Sequence, residues 1–233
     1  MTTPLIEPHP LEPFLPLRAK VLLLGSFPPP HGRWSMNFFY PNFQNDMWRI
    51  MGLIFYDNPL HFVAGNRFDE MLVRQFCEEK GIAIYDTAQV VIRQNNNASD
   101  KFLEVVAPVD LISLLERIPE CTTIATTGQK ATETLLSILA DIQEQDGEEY
   151  KQHDVLKQPD AFTHPLFLPA HGTFITFQFQ QRYIRLYRMP SSSRAYPKPL
   201  KEKADEYLKL FCHTTASCFN ISLFISALQI IFH

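Results

Sequence analysis

The stretch VLLLGSFPPPHGRW, Val21 to Trp34, carries an apolar run into Gly-Ser and then three consecutive prolines. A valine and leucine run closing on glycine is expected for a strand buried on both faces, as in a parallel sheet. Prolines 28–30 remove three backbone donors in succession and fix φ at each position. The stretch therefore predicts a core strand that ends against a stiff loop. In open α/β sheets, ligands bind beyond the carboxyl ends of the strands.

Outward from that strand the pattern alternates. NDMWRIMGLIF, Asn45–Phe55, has helical apolar spacing with Asn45 as its N-cap. A second helix is expected over Phe68–Lys80 with Gly81 to end it, and a second buried strand over Ile82–Ala88. A helix at Asp110–Ile118, a strand at Thr122–Gly128 and a helix at Gln129–Leu139 follow. The last strand is expected at Tyr183–Arg188 and the last helix at Lys198–Phe211. The fold class is thus α/β, a three-layer α/β/α sandwich with a central, mainly parallel four-stranded sheet. Residues 1–20 read as an extended arm and 21–211 as the domain, with a polar excursion at about 141–170 and an apolar tail at 212–233. The segments after the strands, GSFPPP, DTAQVV, TGQK and MPSSSR, are where the chemistry is expected.

The chain's 233 residues suit one substantial core. Its apolar (45%) and charged (20%) fractions are those of an ordinary globular protein, and eighteen prolines point to several rigid loops. A net charge of −4 taken alone argues against a nucleic-acid partner, but the charge is uneven. Glu144, Asp146, Glu148 and Glu149 cluster between Asp141 and Asp154. Arg185, Arg188, Arg194, Lys198 and Lys201 lie between Arg182 and Lys203, opposed only by Glu202. That run is either the footprint of a phosphate backbone or a solvated helix surface.

Cys77, Cys121, Cys212 and Cys218 form no CxxC pair and have no histidine at ligand spacing, so no metal site is expected and reduced thiols are. The N-terminal MTTPLIEPHPLEPFLPL lacks the basic start of a signal peptide. The tail CFNISLFISALQIIFH is shorter than a span and is interrupted by Asn220 and Gln229. It is expected to pack on the domain, with a dimer contact or membrane association as alternatives. The protein is read as a cytoplasmic monomer without membrane association.

No GxGxxG follows the first strand, and neither GxxxxGK[ST] nor GxSxG occurs, so no cofactor is expected. The eight histidines are scattered, and His171 reads as a loop residue rather than a base. Pro190, Ser191, Ser192, Ser193 and Arg194 could grip a phosphate at a strand end, or form only a serine-rich turn. Phe38, Phe39 and Tyr40 offer flat faces on which a base could stack, or simply core.

MPSSSR, Met189–Arg194, resembles the second motif of the mismatch-specific thymine/uracil branch of the uracil-DNA glycosylase superfamily. GSFPP, Gly25–Pro29, sits where the superfamily's first motif belongs. NDMWRIMG, Asn45–Gly52, is similar to the Asn-x-Phe-Trp segment after it, and GIAIYD, Gly81–Asp86, resembles the second-strand segment whose last residue reads the base. The resemblance runs in consistent order from Val21 to Phe211. It implies a metal-free enzyme of DNA repair that flips a deaminated base, uracil or a mismatched base, out of duplex or single-stranded DNA and hydrolyses its N-glycosidic bond. It further implies base contacts from Ser26, Phe27, Phe39, Tyr40 and Asp86. DNA contacts are implied for Pro28, Pro29, Pro190, Ser191, Ser192, Ser193 and Arg194, and a bacterial-type location at the nucleoid.

The chain departs from the family in the first motif. Relatives acting on uracil hold the attacking water with an Asn or Asp there, whereas this chain has Ser26-Phe27-Pro28-Pro29. The hypoxanthine-acting branch, with a Gly-Ser-x-Pro motif, lacks that residue too. Asn45 is then the first candidate to position the water and Asp46 the second, with helix capping as the alternative role. Met189 stands where the major uracil branch has His, and Arg194 falls one residue before the wedge arginine of the thymine enzyme. Asp86 replaces an Asn and, ionised, can only accept hydrogen bonds. Hypoxanthine is therefore an alternative substrate. A catalytically silent DNA-binding module and an unrelated sugar- or nucleotide-binding α/β protein are further alternatives.

Overall fold

The computed structural model describes residues 6–94, 99–150 and 168–212. In chain order these form β1 (Ile6–Pro8), β2 (Val21–Gly25), α1 (Met47–Tyr56), β3 (Val63–Ala64), β4 (Arg67–Phe68), α2 (Glu70–Lys80) and β5 (Ile82–Asp86). There follow β6 (Ala88–Arg93), β7 (Leu103–Pro108), α3 (Leu111–Arg117), β8 (Thr123–Thr127), α4 (Gln129–Tyr150), β9 (Thr173–Phe179), β10 (Arg182–Met189) and α5 (Leu200–Cys212). Of the apolar tail expected at 212–233, Cys212 ends α5 and the rest lies outside the described residues, as does the middle of the polar excursion.

The architecture is mixed α/β, with five helices and a central, mainly parallel sheet in the order β5-β2-β8-β10-β9. Every residue of β2, β5 and β8 is buried, so both faces of the sheet's middle are covered, as the apolar runs of β2 and β5 require. The sheet has five strands rather than the expected four. The fifth, β9, pairs antiparallel with β10 along its whole length at the sheet's edge. As an edge strand it is mostly half-exposed, and its sequence TFITFQF lacks the buried-run signature of the others. Helix α4 also continues past Leu139 to Tyr150, so the polar stretch from Asp141 begins as helix.

Pairing register brings the strand ends level. Gly25 stands opposite Asp86, Leu24 opposite Thr126, and Thr127 opposite Met189. The four loops that leave this edge therefore converge.

Three helix termini are set by local chemistry. The Asp69 side chain accepts the Leu72 N–H at the start of α2, and Asp110 accepts that of Ser113 at the start of α3. Gly81 ends α2 at φ 64°, where a Cβ would also press on the Arg18 carbonyl at 3.0 Å. Helix α1 packs against α2 and α5 through rings: Phe55 lies 5.1 Å from Phe76 and 4.9 Å from Phe211.

A second sheet, β1-β6-β7, is antiparallel throughout. Its buried residues Ala88, Val91 and Leu103 make a small separate core with Phe27, directly under the proline loop. The N-terminal arm supplies β1, and farther on Phe14 bridges Ile84 of β5.

Candidate functional site

A cavity of about 510 Å³ opens at the carboxyl ends of β2, β5 and β8, and the loop after β10 closes one side. Gly25, Asp86 and Thr127 form its floor, and the proline loop and the serine loop face each other across it. Among the residues expected at the site, Ser26, Phe27, Pro28, Pro29, Phe39, Tyr40, Asn45, Asp86, Ser191, Ser192 and Ser193 all line the cavity. Asp46, Pro190 and Arg194 do not. Arg33, Asp100 and Tyr196 line it without having been expected.

The proline loop is held by its carbonyls, the only backbone polar groups prolines retain. Arg93 Nη2 donates to Pro28 at 2.8 Å, and the Trp34 indole donates to Pro29 at 2.7 Å. Arg93 is itself anchored by Glu7 of the arm at 3.1 Å, with 1% of its side chain exposed. The loop is thus braced from β6 and from β1 at once.

The serine loop is gripped from both flanks. The Asp46 backbone N–H donates to the Ser192 carbonyl at 2.8 Å, Lys203 Nζ to Ser193 at 2.8 Å, and the Tyr207 hydroxyl to Pro190 at 2.8 Å. Ser191 Oγ and Ser193 Oγ accept the N–H groups of Ser193 and Ala195, each at 3.2 Å. A hydroxyl that accepts in this way keeps its proton to donate to a ligand oxygen.

Asp46 has a structural occupation. Its Oδ1 takes Arg194 Nε at 2.9 Å and its Oδ2 takes Lys203 Nζ at 3.1 Å, so both oxygens are engaged. Arg194 also donates to Gln44 Oε1 at 3.0 Å, which holds it beside the start of α1, with its side chain still 43% exposed. Asn45 is not the N-cap expected of it: Asp46 holds that position without a side-chain cap bond, and Asn45, one residue earlier, accepts the Met47 N–H through Oδ1 at 2.8 Å while lining the cavity.

Asp86 is paired with His9, whose Nε2 lies 2.9 Å from Oδ2; the imidazole's Nδ1 is held by the Leu11 backbone. His9 packs among Phe27, Phe39 and Tyr85 at centroid distances of 5.2, 6.1 and 4.6 Å. The other oxygen, Oδ1, reaches the floor, where it occupies the space a Cβ on Gly25 would need. Tyr40 stands beside it with φ 51°, a backbone conformation that costs a non-glycine residue roughly 1–2 kcal/mol. Its hydroxyl is 3.1 Å from Thr127 Oγ1, and burial, followed by the Asp86 charge, pushes its pKa far up, so it stays a neutral phenol. On the proline side, Ser26 Oγ donates to Asp100 Oδ1 at 2.6 Å.

Much of the cationic run near the C-terminus is used inside the fold. Arg182 donates to the carbonyls of Leu115, Ile118, Pro119 and Cys121. Arg188 donates to Pro169, Lys198 pairs with Glu206, and Lys203 with Asp46. The exposed Arg33 lies on the cavity's lining, and Arg194 keeps 43% of its side chain exposed beside the start of α1. Among the described residues no cluster of His, Cys, Asp and Glu is placed to hold a metal, and no helix is long and apolar enough to cross a membrane.

No protein-family model and no curated protein sequence matches the chain. A solved structure does: the solution NMR structure of a Methanosarcina acetivorans protein provisionally named a uracil DNA glycosylase. It is similar over 90% of this chain and 99% of its own, at 18% identity and a TM-score of 0.57. At that identity the likeness is one of fold.

Proposed function

We propose that the protein is a monofunctional DNA glycosylase, which turns a deaminated base out of DNA into the cavity at the strand ends and hydrolyses its N-glycosidic bond. The observation that supports this most is the cavity's construction: two loops locked by side chains face each other over a floor that carries an acceptor carboxylate beside aromatic rings. A flipped nucleotide needs those parts, a stacking wall, a polar group at the base edge and rigid grips for the flanking phosphates. The fold shared with the archaeal protein, and the order of the four motifs, support the same reaction class.

In this reading Phe39 and Tyr40 flank the base, and Asp86 accepts its ring N–H. The serine hydroxyls and Arg194 meet the phosphodiester. The departing base takes on negative charge and the sugar positive charge, so fixed dipoles and carboxylates can supply most of the rate enhancement.

Uracil is the first substrate of this reading, and the Asp86 carboxylate favours hypoxanthine as the second. Uracil's N3–H is flanked by two carbonyls, which a carboxylate repels, whereas hypoxanthine's N1–H has one carbonyl neighbour and one C–H. The test is excision from labelled duplexes and single strands carrying uracil, hypoxanthine or a G·T mismatch, read as strand scission after alkali. Cleavage at one of the deaminated bases is expected. Binding without scission at any of them would leave a silent DNA-binding module, and neither binding nor scission would remove the glycosylase reading altogether.

Asn45→Ala tests the residue between its contact with the Met47 N–H and catalysis. It should cost about 1 kcal/mol of stability through the lost hydrogen bond to the Met47 N–H, seen in the urea midpoint. It should also slow excision without weakening DNA binding. An unchanged single-turnover rate would leave Asn45 only its hydrogen bond to the Met47 N–H.

A further inference from the structure

We propose that Asp100, with its carboxylate fixed by Ser26, takes the proton of the attacking water; this rests on the glycosylase reading above. The cavity needs a group that can accept a proton, and the candidates differ in what already occupies them. Asn45 has its only acceptor oxygen on the Met47 N–H, and an amide is too weak a base in any case. Asp46 has both oxygens in ion pairs and lies off the cavity lining. Asp86 has one oxygen on His9 and the other wedged against Gly25 among aromatic rings, the place for a base edge. Asp100 lines the cavity on the proline side, bonded through Oδ1 to Ser26, and no described side chain bonds its Oδ2.

The short 3-10 turn Asp100–Phe102, on the connection between β6 and β7, puts the carboxylate there. Ser26 lies between Gly25 at the floor and the prolines that would hold the backbone, so Asp100 sits toward the sugar rather than the base. In the step itself the water oxygen bonds to C1′ while the C1′–N bond breaks. The bonding pair leaves with the base, one water proton passes to Asp100, and the base later regains a proton through solvent.

The surroundings tune the group for this work. Burial lifts the Asp100 carboxyl above its ordinary value; the Ser26 hydrogen bond lowers it, the Asp86 charge raises it, and Lys130 and Arg93 lower it. A base must be ionised, so the rate should fall as pH drops through that raised value. Losing the Ser26 bond should move this acid limb to higher pH. For stability the sign is opposite to that of a salt-bridged aspartate. A folded-state pKa above the unfolded one favours the fold below the unfolded value, and the benefit is lost as pH rises through the folded one. Ionised Asp100 therefore burdens the fold at neutral pH, and Asp100→Asn should be at least as stable as wild type there, with its advantage shrinking in acid.

The experiment compares wild type, Asp100→Asn, Asp100→Glu and Ser26→Ala on DNA carrying the excised base. It measures single-turnover rates against pH, thermal midpoints, and binding to a duplex with a non-hydrolysable 2′-fluoro nucleotide. Asp100→Asn should lose about 100-fold or more in rate, the size of a general base's contribution, with binding kept. Asp100→Glu should restore part of the rate, and Ser26→Ala should shift the acid limb upward. A wild-type-like rate in Asp100→Asn, or an equal loss of binding, overturns the assignment. If Asp100→Asn fails to fold, the Ser26→Ala profile decides, an unmoved limb overturning it. A wild type inactive on every substrate overturns the glycosylase reading and this assignment together, an outcome distinct from an active enzyme indifferent to Asp100.

Discussion

Lys203→Ala is expected to destabilise the fold by about 3–5 kcal/mol, the range for breaking a buried ion pair by removing one partner. Lys203 has 1% of its side chain exposed and donates to both Asp46 Oδ2 and the Ser193 carbonyl. Its removal leaves a nearly buried carboxylate with Arg194 alone, a Ser193 carbonyl with only the Tyr196 N–H, and a void where the aliphatic stem lay. Urea unfolding followed by circular dichroism measures the loss, and a change below about 1 kcal/mol, the level of a surface pair, would contradict this account. Lys203→Met keeps the stem and removes only the charge. Adding Asp46→Asn to it should recover part of the loss, because the uncompensated charge is then gone.

Gly25→Ala is expected to remove most activity while leaving the protein folded. The new Cβ would fall 2.2 Å from Asp86 Oδ1 and 3.6 Å from the Tyr40 hydroxyl oxygen. Asp86 cannot simply swing aside, because His9 holds its other oxygen and aromatic rings enclose the imidazole. Moving a positioned group by about 1 Å can cost 100-fold in rate, whereas the overpacking itself costs about 1–3 kcal/mol. Single-turnover excision beside a thermal melt separates the two effects. A variant with full activity would show that Asp86 Oδ1 is not needed where it stands.

The parts of the fold that were legible are those whose burial is continuous. VLLLG, IAIYD and TIATT are buried at every residue, and the apolar and β-branched runs there mark the strands to within two residues at either end. The half-exposed elements were not legible in the same way. In β6, AQVVIR mixes buried, exposed and intermediate positions, and most of it falls in DTAQVV, where a loop after the second strand is expected. In β9 the exposure pattern of an edge strand dilutes the signal further.

The candidate site divides along a similar line. Residues next to strand ends, such as Ser26, Asp86 and Ser191, were placed by the rule that ligands meet parallel sheets there. Asp100 and His9 escaped it, because one sits in a polar run and the other in a proline-rich arm. His9 reaches Asp86 across 77 positions of sequence, a proximity made by the second sheet that no local spacing encodes.

The arm changes where the working unit begins. Sequence pattern alone sets the domain's start at Val21, the first residue of the buried strand. Yet Ile6–Pro8 covers the outer edge of β6, Glu7 steadies the arginine that braces the prolines, and His9 grips the floor carboxylate. A version of the protein trimmed to the minimal sheet-and-helix body would keep its central core while shedding two supports of the cavity. It would also bare a strand edge that invites pairing with a neighbour. The boundary drawn by the first buried strand and the boundary of the supported cavity therefore fall at different places along this chain.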